Sequence, residues 1–154
     1  MAARHHVCAG GGRTLGLADT LGTATTEHVL TAVGAVREAL PDITIGLQLH
    51  NADGQALTTA LQAARNCATA TRHGIDRILV HDGCHLGIEH FDSAVGGYGG
   101  CPFAPGAHGN LATEELVAHF HSHDVDTGID LQQLATAATT VNRILADSPQ
   151  LPRK

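Results

Sequence analysis

The chain reads as an α/β protein built on parallel strands, and three observations predict it. Segments of strand character alternate with segments of helical periodicity, the order that gives a parallel sheet with covering helices. Each strand segment runs into a polar or glycine-rich cluster: Asp19-Thr20-Leu21-Gly22, His50-Asn51-Ala52-Asp53-Gly54 and Gly96-Gly97-Tyr98-Gly99-Gly100-Cys101. Ligand sites of α/β proteins form at that end of the strands. The length, 154 residues, suits one domain with a real core. Three or four parallel strands with covering helices are expected.

The elements follow in order. Residues 1–12, with His5-His6 and Gly10-Gly11-Gly12, lack periodicity and read as a loose lead-in. Thr14 to Ala18 alternates weakly and delivers Asp19 and Thr20 to a tight turn; Asp19 by itself is a good turn-capping residue. Thr25 is a fair N-cap for a helix whose stripe is Val29, Val33, Val36 and Leu40, and Pro41 stops it. Residues 43–49 are β-branched and aliphatic and form the second strand. Residues 55–71 read as a helix with Leu57, Ala60, Leu61 and Ala64 on one face. A short strand at residues 78–80 sits in a stretch that also holds His81, Asp82, Cys84 and His85. Those four suggest zinc, but consecutive residues rarely all face one ion.

The strand at residues 88–95 leads into the glycine loop. Its four glycines permit positive φ and close approach of backbone to a ligand, and they present Cys101 on a flexible lip. Thr113 is expected to cap the next helix, with Glu114 and Glu115 at the dipole's positive end. Asp130 with Gln133 resembles a capping box and opens a last helix striped by Leu131, Leu134, Ala135, Ala138, Val141 and Leu145. Residues 149–154 read as a frayed tail.

Composition narrows the function. A net charge of −6 without basic runs argues against nucleic acid. No apolar run approaches the roughly 20 residues that cross a bilayer. The four cysteines form no CxxC pair and, with no secretory segment, read as reduced thiols. A cytoplasmic address is expected.

The run Gly-Gly-Tyr-Gly-Gly-Cys-Pro-Phe-Ala-Pro-Gly-Ala-His-Gly-Asn-Leu-Ala-Thr-Glu-Glu-Leu-Val, residues 96–117, resembles the signature of the hydroxymethylglutaryl-CoA lyase family. Leu-Ala-Asp-Thr-Leu-Gly-Thr-Ala-Thr, residues 17–25, resembles the same family's sixth barrel strand and following loop. The likeness covers residues 15–65 and 88–152, with an insert at residues 66–85. It implies the C-terminal part of a (β/α)8 TIM barrel, a fold needing about 250 residues in full. The expected domain spans residues 13–148 as a partial TIM barrel.

The resemblance also implies chemistry. Relatives cleave a carbon–carbon bond of a 3-hydroxyacyl-CoA thioester to acetyl-CoA and a keto acid, assisted by a divalent cation, Mg²⁺ or Mn²⁺. It implies His50 and Asn110 as metal ligands, and Asp19, Thr20, Gly99 and Gly100 as substrate-binding positions. Cys101 becomes the catalytic thiol of the loop over the substrate. Gln48 stands where the family has the first histidine of a His-x-His pair, and glutamine is a far weaker ligand than imidazole for transition metals. No segment here matches the family's first two strands, which bring a ligand aspartate, a catalytic arginine and a supporting glutamate. The expectation is a lyase-like chain incomplete by itself, or else a non-catalytic interaction module of the same fold. An open partial barrel exposes strand edges and an apolar inner face, so self-association or a partner chain completing the barrel is expected.

Overall fold

The computed structural model describes residues 12–65, 88–99 and 108–147. The expected insert with His81, Asp82, Cys84 and His85 lies outside them, as do Gly100 and Cys101. Strands β1 (Thr14–Asp19), β2 (Thr44–Leu49) and β3 (Ile88–Asp92) form one parallel sheet in the order β1-β2-β3. Helices α1 (Thr26–Ala39), α2 (Ala56–Arg65), α3 (Thr113–His121) and α4 (Leu131–Ala146) follow the strands, and Val95–Gly97 makes a short 3-10 turn after β3. Among the described residues no helix is long and apolar enough to cross a membrane.

Local signals explain most boundaries. The Thr25 hydroxyl accepts from the His28 N–H at the start of α1, and Leu40 closes it just before Pro41. The Asp130 carboxylate accepts from Gln132 and Gln133 N–H, so Asp130 is the expected N-cap. The Gln133 side-chain NH₂, however, donates to the same carboxylate at 3.3 Å and does not reach back to the Asp130 backbone N–H as a full capping box would. Thr113 departs from expectation. Ala112 is the N-cap of α3, and the Thr113 hydroxyl instead bonds Ser93 at 2.9 Å. The third strand also ends sooner than expected, at Asp92, because residues 95–97 curl into the 3-10 turn with Gly96 at φ 71°.

Register decides which face does what. Gly16, Gly46 and His90 are cross-strand neighbours, as are Ala18, Gln48 and Asp92, and Leu17, Leu47 and Phe91. Since strand residues alternate between faces, Leu47 and Phe91 point to the helices, where they join Val33, Leu116, Val117 and Phe120 in the core. The Phe91 and Phe120 rings meet edge to face at 5.6 Å between centroids. Burying each such side chain contributes about 1.5–3 kcal/mol.

The other face corrects the expected apolar inner wall. It carries Thr14, Gly16, Ala18, Thr44, Gly46, Gln48, His90 and Asp92, all small or polar. The aliphatic residues of these strands occupy the alternate positions and are spent on the helix side. The stripe of α4 is likewise less covered than its periodicity suggests. Ala138 is its single buried member, and Ile144, off the stripe, is 54% exposed.

Candidate active site

The C-terminal ends of the three strands bring their loops onto one rim. Beyond β1, the Asp19 carboxylate accepts from the N–H of Gly22 at 3.0 Å and of Ala24 at 2.9 Å. These bonds wrap residues 20–24 into a tight turn that carries Thr20. Gly22 lies against the next loop: a Cβ built there meets the His50 carbonyl oxygen at 2.7 Å, and its φ is +69°. Both carboxylate oxygens of Asp19 are thus engaged in capping the turn.

Beyond β2, Gln48 and His50 project from alternate positions on the inner side. His50 is buried, and its Nδ1 lies 2.7 Å from the His108 carbonyl oxygen. A carbonyl only accepts, so Nδ1 carries a proton, and in the neutral ring the lone pair is the one on Nε2. Backbone pairing reinforces the contact, for His50 and Asn110 form an isolated antiparallel bridge and Leu111 N–H donates to the Leu49 carbonyl at 3.2 Å. Asn51 and Asp53 are occupied locally, accepting from Ala56 and Gln55 N–H at the start of α2.

Beyond β3, the glycine loop is held more firmly than its composition predicts. Both oxygens of Glu114 lie 3.0 Å from the Gly96 N–H, and Tyr98 donates its hydroxyl proton to Asn142 of α4. The charge of Glu114 therefore serves this loop as well as the helix dipole. The loop also presses on residues 108–110: a Cβ at Gly109 meets the Gly97 oxygen at 2.3 Å, and one at Gly99, whose φ is +103°, meets Asn110 Nδ2 at 2.6 Å. Both contacts demand glycine.

At the centre, Gln48 Nε2 donates to Asn110 Oδ1 at 2.9 Å, and Asn110 Nδ2 donates to the Tyr98 carbonyl at 3.0 Å. The structure thus brings Gln48, His50, Asn110 and Gly99 together and sets Asp19 and Thr20 on the adjoining loop. Sequence reading missed Tyr98, Glu114 and Asn142 as the residues that brace the loop. Only the position of Glu114 in the first turn of a helix hinted at a partner.

The donor set does not suit a divalent cation of the implied kind. Hard cations collect six or more oxygens, usually including carboxylates. Here the Asn110 oxygen already accepts an N–H, and neither Gln48 nor Asn110 carries charge. Among the described residues no three His, Cys, Asp or Glu side chains converge as a metal group.

No family model matches the chain. It is 36% identical over 143 residues to (R)-citramalyl-CoA lyase of Chloroflexus aurantiacus, a match covering 93% of this chain and 38% of that protein. It is 36% identical over 124 residues to hydroxymethylglutaryl-CoA lyase YngG of Bacillus subtilis, covering 80% of this chain and 35% of the relative. Among solved structures, an HMG-CoA lyase from Acinetobacter baumannii in complex with coenzyme A and 3-methylmalate is similar with a TM-score of 0.71 at 30% identity. That match covers 99% of this chain and 47% of the other. The chain spans well under half the length of the curated relatives it matches.

Proposed function

The chain belongs to the hydroxymethylglutaryl-CoA lyase family as part of its TIM barrel, and from that premise we propose that it forms the acyl-CoA-facing portion of a carbon–carbon lyase. The reaction is retro-Claisen cleavage of a 3-hydroxyacyl-CoA thioester. A base takes the tertiary hydroxyl proton, the carbon–carbon bond breaks with its electron pair passing to the acetyl carbon, and a thiol proton quenches that carbanion. The products are acetyl-CoA and a keto acid.

The observation that carries this reading is the convergence on one rim of the turn at residues 19–24, the His50 loop and the paired glycine loops. In the proposal, Asp19, Thr20, Gly99 and Gly100 line the substrate, with backbone N–H groups and glycine surfaces admitting it closely. Cys101 supplies the proton. His50 is the one titratable base among the three central side chains, and its Nδ1 bond to His108 fixes the ring. The ligand roles implied for His50 and Asn110 toward Mg²⁺ or Mn²⁺ are not supported by the donors present, so no step is assigned to a cation. A full barrel's remaining strands would have to come from further polypeptide or a second copy.

Titration with acetyl-CoA, followed by amide NMR, tests the reading. Shifts are expected at Gly22, Gly97, Gly99 and Asn110, and none along the outer face of α1. Absence of any shift at millimolar ligand would overturn it. A second reading, a non-catalytic acyl-CoA-binding or interaction module, is favoured by the Gln48–Asn110 bond. In a coupled acetyl-CoA assay the chain alone is expected to show no turnover of hydroxymethylglutaryl-CoA; turnover that scales with this chain and is lost in Cys101→Ala would remove that second reading.

A further inference from the structure

We infer that this chain has closed the family's cation position with an amide clasp between Gln48 and Asn110, so that the rim binds no divalent cation, and that the residue at position 48 determines whether the clasp forms. The inference rests on family membership and not on acyl-CoA binding, so either can fail without the other.

The amide orientations are fixed by their surroundings. Asn110 Nδ2 faces the Tyr98 carbonyl at 3.0 Å. Turning the group over would set the Asn110 oxygen against the Tyr98 carbonyl, two acceptors facing each other. The amide also packs close to Gly99, whose Cβ, if present, would lie 2.6 Å from Nδ2. The Asn110 oxygen must then face Gln48, and the Gln48 group that meets it at 2.9 Å must be the NH₂ end. The positive end of an amide dipole thus sits on the oxygen a cation would need. Gln48 is anchored in turn by its strand, paired to Ala18 on one side and Asp92 on the other.

The neighbouring half of the position remains ready. Proton donation from His50 Nδ1 to the His108 carbonyl is the arrangement that orients a ligating imidazole and sets its tautomer. One imidazole is nevertheless too little. Besides the ligand aspartate of the unmatched first strand, the position has lost a donor at residue 48 and, through the clasp, the use of another at residue 110.

Gln48→Glu tests this with almost no change of shape, since it exchanges the NH₂ for an oxygen and adds a charge. Without metal, two oxygens then oppose each other and the protein should melt at a lower temperature than wild type. With Mn²⁺, the carboxylate, the Asn110 oxygen and His50 Nε2 make three donors, and the melting temperature should recover. Paramagnetic resonance should show Mn²⁺ binding at least about tenfold tighter than in wild type, a difference on the order of 1.4 kcal/mol. Gln48→His, which keeps a neutral side chain, should also gain Mn²⁺ or Co²⁺, and adding Asn110→Ala to either variant should reverse part of the gain. Wild type should show neither saturable Mn²⁺ binding up to millimolar metal nor selective broadening of His50 and Asn110 resonances. Saturable wild-type binding with that broadening would overturn the inference, as would folded Gln48→Glu and Gln48→His proteins that gain nothing.

Discussion

Replacing Gly109 with alanine probes the contact on which the rim depends. A Cβ at this position would lie 2.3 Å from the Gly97 carbonyl oxygen and 3.0 Å from that of Gly99. Both obstacles are backbone, so no side chain can turn away to relieve them. The two loops must part by an ångström or more, which strains the Asn110–Tyr98 and Gln48–Asn110 bonds at once. Overpacking of this kind costs about 1–3 kcal/mol, and loosening one neutral hydrogen bond adds roughly 1 kcal/mol. Gly109→Ala should therefore lose about 2–4 kcal/mol. Two other glycines provide internal comparisons. Gly54 has φ +79° but no atom within 4 Å of a built Cβ, so alanine there carries only the left-handed penalty of about 1–2 kcal/mol. Gly16 has neither the unusual φ nor a neighbour, and alanine should be neutral or stabilising by about 0.5–1 kcal/mol. Urea denaturation of the three variants gives the ranking directly. If Gly109→Ala is no worse than Gly54→Ala, the two loops do not meet as described and the proposed rim loses its geometry.

Other expectations can be checked with the same protein. Glu114→Gln should weaken the grip on the Gly96 N–H, because a charged acceptor becomes neutral; amide exchange at Gly96 should accelerate while the core strands stay protected. The His119 pKa is lowered by burial, with His123 and Arg65 adding to the shift. Its folded form thus prefers the neutral ring, so its contribution to stability is present above the ordinary histidine value and is lost as pH falls through the lowered one. His119→Gln should flatten that part of the stability–pH curve, and an unchanged slope would show that another group is responsible. The Asp130 pKa is lowered by N–H donation from Gln133 and Gln132, so the α4 cap should persist above the usual aspartate range and weaken as pH drops below it; Asp130→Ala should remove that pH dependence.

The legible parts of this fold are those set by local physics. Thr25, Pro41 and the Asp130–Gln133 pair announced their helix ends because capping involves neighbours within four residues. The parallel order followed from strand–helix alternation. The glycine loop was legible as the segment that follows the third strand, but its stiffness was not. Composition reports only that glycines can move, whereas Glu114 and Asn142, 18 and 44 residues away from their partners, decide that the loop's base is held. The polar inner face was missed for a related reason: β1 alternates too weakly to reveal which of its faces carries Gly16 and Ala18. Register with β2 settles that, and register is a tertiary fact.

The same distinction applies to the central residues. Resemblance alone places a cation between His50 and Asn110 and treats Gln48 as a weakened ligand. The structure gives Gln48 a different chemistry, because an amide offers a donor as well as an acceptor and here the donor end meets Asn110. A substitution that lowers affinity for a metal would leave the position open and poorly filled. A substitution that supplies a hydrogen bond fills it, and it stabilises the junction of β2 with the 108–110 loop without any ion. That junction is also stapled by the His50–Asn110 bridge and the Leu111 bond to Leu49. The rim therefore holds its shape through the protein's own hydrogen bonds, without an ion at its centre.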